Sequence, residues 1–111
     1  VTSQLAFEDC TIPGDAILPG VTGLKGPLSC LTQARYGISW GVVGSAMATY
    51  TAALEYSKTR KQWRDRPIAA HQLVQERLAW MVTEITKAQL LAWKLGSMKD
   101  AGTVRPEQVS S

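Results

Sequence analysis

The stretch VQERLAWMVTEITKAQLLAWKL, residues 74–95, decides the fold. Within it Val74, Leu78, Met81, Ile85, Ala88, Ala92 and Leu95 recur at alternating spacings of four and three. That spacing lays one apolar seam along a helix. The helix is expected over residues 67–101, with Pro67 near its first turn, where a missing N–H is harmless, and Gly102 ending it. Upstream, Tyr36, Trp40, Val43, Met47, Tyr50 and Leu54 repeat in the same way and predict a first long helix over residues 28–58. About eight residues join the two, so they should lie antiparallel. A coiled-coil dimer would also explain the seam, but glycines on the facing helix and sparse flanking charge pairs argue against it.

Beside the first apolar stripe runs a second one of small residues, Gly37, Gly41, Gly44 and Ala48. Each glycine costs up to ~1 kcal/mol of helix stability relative to alanine, so something is expected to approach the backbone closely there. A tight helix–helix crossing is the ordinary reading, and an extended ligand along the upper part of the same groove is compatible with it.

The flanks are less regular. Leu5, Phe7, Cys10 and Ile12 roughly alternate and read as a short strand over residues 1–12, ending at Pro13-Gly14-Asp15. Residues 13–27 are rich in proline and glycine and should cross irregularly. A lone strand cannot form a stable sheet, so its partners are expected outside the chain. Thr103 to Gln108 resembles the start of a third helix, with Pro106 and Glu107 in its first turn. A strand without partners and a helix barely begun imply a segment of a longer protein. The expected fold is mainly α: an antiparallel long-helix hairpin with a short N-terminal β segment.

Composition narrows the function classes. With 45% hydrophobic and 19% charged residues, the chain should be soluble and globular. No apolar run reaches the ~18 residues a bilayer span needs, and no signal peptide is legible. Two cysteines, Cys10 and Cys30, are too few for a disulfide scaffold and suit reduced thiols in a cytosol-like compartment. Lys58, Arg60, Lys61, Arg64 and Arg66 crowd the inter-helix loop against Asp65 alone. So dense a cluster suits a phosphate or pyrophosphate better than a nucleic-acid track, with a solvated loop as the alternative. His71 is the only histidine, so no metal cluster or Ser-His pair can form around it, and it is expected at the surface. There is no glycine-rich dinucleotide turn and no Walker sequence. Trp63, Trp80 and Trp93 read as packing or partner-facing residues rather than stacking platforms for nucleic acid.

Several motifs, in order, resemble the acyl-CoA dehydrogenase family. Leu5-Ala6-Phe7-Glu8-Asp9-Cys10 with Ile12-Pro13 is similar to the last strand of that family's middle β-domain, and Leu18-Pro19-Gly20 to the segment after it. Leu31, Arg35, Gly41 and Gly44 follow the first helix of its C-terminal helical domain. Arg60, Pro67 and Gln72 follow its inter-helix turn. Ala34-Arg35-Tyr36-Gly37-Ile38 and Thr83-Glu84-Ile85-Thr86 tilt the resemblance toward the glutaryl-CoA dehydrogenase branch. The resemblance divides the chain into residues 1–27, the end of the β-domain and a linker, and residues 28–111, half of a four-helix bundle.

It implies FAD-dependent α,β-dehydrogenation of an acyl-CoA. A glutamate base takes the α-proton and the flavin takes the β-hydride, and in the glutaryl branch decarboxylation then gives crotonyl-CoA. Electron-transfer flavoprotein is the implied redox partner, and a homo-dimer or homo-tetramer the implied assembly. The bacterial cytoplasm or the mitochondrial matrix is the implied location. Leu28, Ser29, Cys30, Leu31, Thr32, Gln33, Ala34 and Arg35 match substrate-contacting positions. Arg60 matches an arginine that reaches the FAD pyrophosphate of the neighbouring subunit, and Gln72 a polar contact to the same FAD. The family's Phe-Gly is replaced here by Trp63-Arg64-Asp65, one residue longer and without the glycine. None of Glu55, Glu76, Glu84 or Glu107 matches the catalytic base, so no catalytic residue is assigned and the chain alone is expected to be inactive. The alternative from another class is a non-catalytic helical oligomerisation module.

Overall fold

Two long helices form, as the seams require. The computed structural model describes residues 2–110. Helix α1 spans Lys25–Thr59 and helix α2 spans Gln72–Asp100, about 52 and 44 Å at the usual rise. Late residues of α1 meet early residues of α2. The Gln89 amide donates to Met47 Sδ at 3.1 Å, and Lys99 Nζ donates to Gln33 Oε1 at 2.7 Å. The hairpin is therefore antiparallel.

The seam of α2 faces α1 as expected. Ala92 is buried, and Val74, Leu78, Met81, Ile85, Ala88 and Leu95 are half-buried. The contact edge of α1 keeps four of the six residues of its expected stripe and widens to one side of it. Tyr36, Val43, Tyr50 and Leu54 of that stripe are half-buried, as are Thr32, Ser39, Ala46 and Ala53 beside it, and Ser57 is buried, whereas Trp40 and Met47 are partly exposed, at 42% and 44%. Small residues at Ser39, Ala46 and Ala53 let the helices approach. The larger Trp40 and Met47 sit at the rim, where Trp40 lies against Gly96 and Met47 accepts from Gln89.

The glycines behave differently from expectation. A Cβ added at Gly37, Gly41 or Gly44 would meet nothing within 4 Å, so this stripe does not form the crossing with α2. Close approach occurs at Gly96 instead, where a Cβ would lie 3.3 Å from Tyr36 Oη and 3.4 Å from Trp40 Cζ2.

Element boundaries shift for local reasons. Helix α1 starts before residue 28 because Pro27 falls in its first turn, where proline is tolerated. Helix α2 starts after residue 67 because the loop ladder claims that stretch. Ile68 N–H donates to Arg60 O at 2.9 Å, and Ile68–Ala70 closes a 3₁₀ turn. At its other end α2 stops at Gly102, with φ +67°. Thr103 N–H reaches Met98 O at 2.9 Å and Gly102 N–H reaches Lys99 O at 3.0 Å, the double bond of a left-handed glycine cap. The expected third helix is a single 3₁₀ turn, Pro106–Val109, whose Val109 is buried.

No strand forms among the described residues. The β segment was expected over residues 1–12, of which Val1 lies outside the described residues; residues 2–12 have no neighbouring strand to complete their backbone bonds, and their apolar side chains Leu5, Phe7 and Ile12 are exposed. The molecule is long and thin, 75 × 36 × 16 Å with a radius of gyration of 22.8 Å. A compact chain of this length would have about 13 Å. No large side chain is fully buried among the described residues.

Candidate functional site

The loop between the helices, residues 60–71, is built by its own backbone. Arg60 N–H donates to Tyr56 O at 2.8 Å, Gln62 N–H donates to Arg66 O at 2.9 Å, and Lys61 pairs with Pro67 in an antiparallel bridge. At the tip Trp63, Arg64 and Asp65 have φ of 61°, 56° and 55°. Three successive left-handed residues, none of them glycine, cost roughly 1–2 kcal/mol each. This left-handed turn lies where the resemblance sets Trp63-Arg64-Asp65 in place of Phe-Gly.

The loop backbone spends its hydrogen bonds internally and leaves its guanidiniums unspent. Lys58 pairs with Glu55 at 2.8 Å and Lys61 with Asp65 at 3.4 Å, both exposed and so worth little. Among the described residues Arg60, Arg64 and Arg66 form no ion pair. Gln72, the first residue of α2, is exposed. The first turn of that helix carries no side-chain cap and no acid, so its positive dipole end is uncompensated. Three free guanidiniums and an uncapped helix start make this end receptive to a diphosphate.

His71 is not the plain surface residue that was expected. It is half-buried, with Nε2 3.3 Å from Gln62 O, and protonated at that nitrogen it ties the loop to α2. A cavity of ≈ 370 Å³ lies between them, lined by Gln62, Trp63, Ile68, His71 and Val74. A lone histidine carries no sequence signal for such a brace, because its partner is a backbone carbonyl nine residues away.

The residues expected to contact substrate lie at the opposite end of the hairpin. Arg35 and Arg60 are separated by about 37 Å along α1, so the fold does not bring the two candidate groups together. Eight consecutive helical residues point all round the axis, so Leu28–Arg35 cannot all meet one ligand. Leu28, Leu31 and Arg35 share one face. Ser29 Oγ donates to Gly26 O at 2.7 Å and Thr32 Oγ1 to Leu28 O at 3.0 Å, so their hydroxyls serve their own helix. Cys30 and Ala34 are exposed, and Cys10 and Cys30 are both free thiols. Gln33 accepts from Lys99, which also lies 5.0 Å above the Tyr36 ring. Arg35 Nη1 donates to Ser110 Oγ at 3.0 Å.

Of the glutamates set aside as catalytic bases, Glu55, Glu84 and Glu107 sit in exposed ion pairs. No cluster of metal-ligating side chains occurs among the described residues, nor any helix long and apolar enough to cross a membrane.

The family described as acyl-CoA dehydrogenase, C-terminal domain, matches residues 22–111. The human mitochondrial short-chain specific acyl-CoA dehydrogenase is 36% identical over 101 residues, 89% of this chain and 24% of that enzyme. The probable acyl-CoA dehydrogenase FadE25 of Mycobacterium tuberculosis is 38% identical over 103 residues, 91% of this chain and 26% of that protein. Among solved structures, a glutaryl-CoA dehydrogenase from Mycobacterium smegmatis superposes with a TM-score of 0.83 at 49% identity, covering 89% of this chain and 25% of that one. A glutaryl-CoA dehydrogenase from the same organism, in complex with FADH2, gives 0.82 at 45%. The chain spans about a quarter of the length of these relatives.

Proposed function

This chain belongs to the acyl-CoA dehydrogenase family, and from that premise we propose that it serves a flavin-dependent, glutaryl-CoA dehydrogenase-like enzyme as part of its helical domain. The observation that carries the cofactor side is the loop end, where Arg60 forms no ion pair among the described residues and Gln72 opens α2. The residues fit a dinucleotide diphosphate. A guanidinium pairs two phosphate oxygens at once, and the uncapped start of α2 adds amide N–H groups of the same sign. Bound FAD would supply the redox chemistry; this chain's part is to hold and orient it. The wide separation from Arg35 suits an arrangement in which Arg60 and Gln72 serve the flavin of a neighbouring subunit, in a homo-dimer or homo-tetramer. Residues 1–27 would then close a β-domain.

At the open end, Leu28, Leu31 and Arg35 form the face offered to acyl-CoA, with apolar contacts beside one cation for phosphate or adenosine. The glutaryl branch is supported by the 49% identity to the M. smegmatis enzyme and by the residues around Arg35 and Glu84. Decarboxylation, electron-transfer flavoprotein as redox partner, and a bacterial cytoplasmic or mitochondrial matrix location belong to the same proposal. The second reading, a helical oligomerisation module without chemistry, is favoured by the exposed apolar surface alone.

A segment exchange separates the two. Residues 10–110 are placed in the matching quarter of the M. smegmatis glutaryl-CoA dehydrogenase. The proposal expects the chimera to retain FAD and to oxidise glutaryl-CoA. A folded chimera that assembles but holds no flavin would leave only the oligomerisation reading.

A further inference from the structure

We propose that His71 and Gln75 are positioning residues for the cofactor end, two side-chain donors at the start of α2 that set the angle at which the loop presents Arg60. The proposal rests on the reading of Arg60 as a diphosphate contact and deepens it.

The loop is stiff within itself. Ile68 N–H donates to Arg60 O and Gln62 N–H donates to Arg66 O, both at 2.9 Å. These bonds run between loop residues, so they fix the shape of the loop and not its tilt against the helix. Packing does not fix the tilt either. A hollow of ≈ 370 Å³, walled by Gln62, Trp63, Ile68, His71 and Val74, lies between loop and helix.

Two side chains cross that gap. His71 Nε2 lies 3.3 Å from Gln62 O, and Gln75 Nε2 donates to Ala69 O at 2.9 Å. A carbonyl only accepts, so His71 must carry a proton on Nε2. The two acceptors bracket the anchor of Arg60. Gln62 lies two residues beyond Arg60, and Ala69 follows Ile68, the residue bonded to Arg60 O. A stiff loop held at these two points cannot rock on the helix. The angle matters because a guanidinium pairs two phosphate oxygens only when its plane meets them squarely.

The test uses the chimera described above, loaded with FAD. His71→Leu and Gln75→Met each remove a donor at similar volume, and each should weaken FAD retention about 3- to 10-fold, the worth of one hydrogen bond. His71→Gln should retain it, since a glutamine Nε2 has the reach of the histidine Nε2. In an Arg60→Ala background, His71→Leu should weaken retention by less than about 2-fold more, the coupling of residues that act as a unit. Hydrogen exchange at the Gln62 and Ile68 amides should stay within about 2-fold of the parent, because the loop keeps its own ladder. Where His71→Leu fails to fold, Gln75→Met carries the same cycle. Losses that multiply in the double variant overturn the positioning role and leave the cofactor reading standing. So does flavin retained by both donor variants while Arg60→Ala loses it. Faster exchange in the ladder alongside flavin loss also overturns it, and makes the pair stabilisers of the loop's fold. Flavin retained by Arg60→Ala removes the cofactor reading itself, and this inference with it.

Discussion

The two ends of the hairpin solve opposite problems. At the loop end the backbone holds itself, through the Arg60–Ile68 and Gln62–Arg66 bonds, and Arg60, Arg64 and Arg66 have no carboxylate partner among the described residues. At the open end the side chains do the holding. Lys99 bridges Gln33 and Tyr36, Arg35 bonds Ser110, and Tyr36 and Trp40 close over Gly96. A region that satisfies its own backbone can lend its charges to a ligand. A region joined by its side chains must first keep the helices together, and only then serve a substrate.

The largest effect would break this contrast outright. The isolated chain should neither retain FAD stoichiometrically nor reduce an electron acceptor with glutaryl-CoA, because none of its glutamates matches the base. A yellow preparation with turnover, seen by absorbance and steady-state assay, would overturn the reading that this chain lacks a complete site.

Next is the crossed pair of arginines in the chimera. Arg60→Ala should weaken FAD retention by about 1–3 kcal/mol, the range for losing a charged hydrogen-bond partner. Its thermal midpoint, measured with saturating FAD, should hardly move. Arg35→Ala should instead leave flavin content intact, raise the KM for acyl-CoA, and loosen the 106–110 turn. Flavin content after dialysis and acyl-CoA kinetics read the two. Equal effects of both arginines on flavin would erase the distinction between the ends.

A third comparison sets two glycines against each other. Gly96→Val should destabilise the chain by about 1–3 kcal/mol through overpacking against Tyr36 and Trp40. Gly41→Ala, on the open face of α1, should stabilise it by up to ~1 kcal/mol through helix propensity. Urea unfolding at one fixed protein concentration measures both, since association alters apparent stability. The smallest change is expected at the loop tip. Arg64→Gly relieves one left-handed residue and should stabilise by about 1 kcal/mol. A loss of stability there would mean that the Arg64 side chain holds the loop.

Much of this was legible in the chain. The Val74–Leu95 seam gave α2 its buried face, and Gly102 gave it its stop, because helical periodicity and a left-handed cap are properties of neighbouring residues. The order of Leu31, Arg35, Arg60, Pro67 and Gln72 gave the family. Arg60 and Gln72 could be named as candidates because type and spacing, rather than contact, mark them. The strand expected over residues 1–12 does not form among the described residues, since a strand depends on backbone partners that alternation in one segment cannot supply.

What remained was decided in three dimensions. How wide the contact edge of α1 becomes depends on how closely the axes approach, and Ser39, Ala46 and Ala53 join Tyr36, Val43, Tyr50 and Leu54 there because small side chains permit close contact. The start of α2 was set by Ile68 bonding back to Arg60, a pairing across the loop that no local propensity encodes. Gly96, rather than the glycine stripe, became the crossing point because Tyr36 and Trp40 arrive there from the other helix. The sequence by itself determined the two helices, their antiparallel order and the residue types at their ends. Tertiary structure alone decided which faces touch and how far apart those ends lie, because both depend on residues distant in the chain occupying the same space.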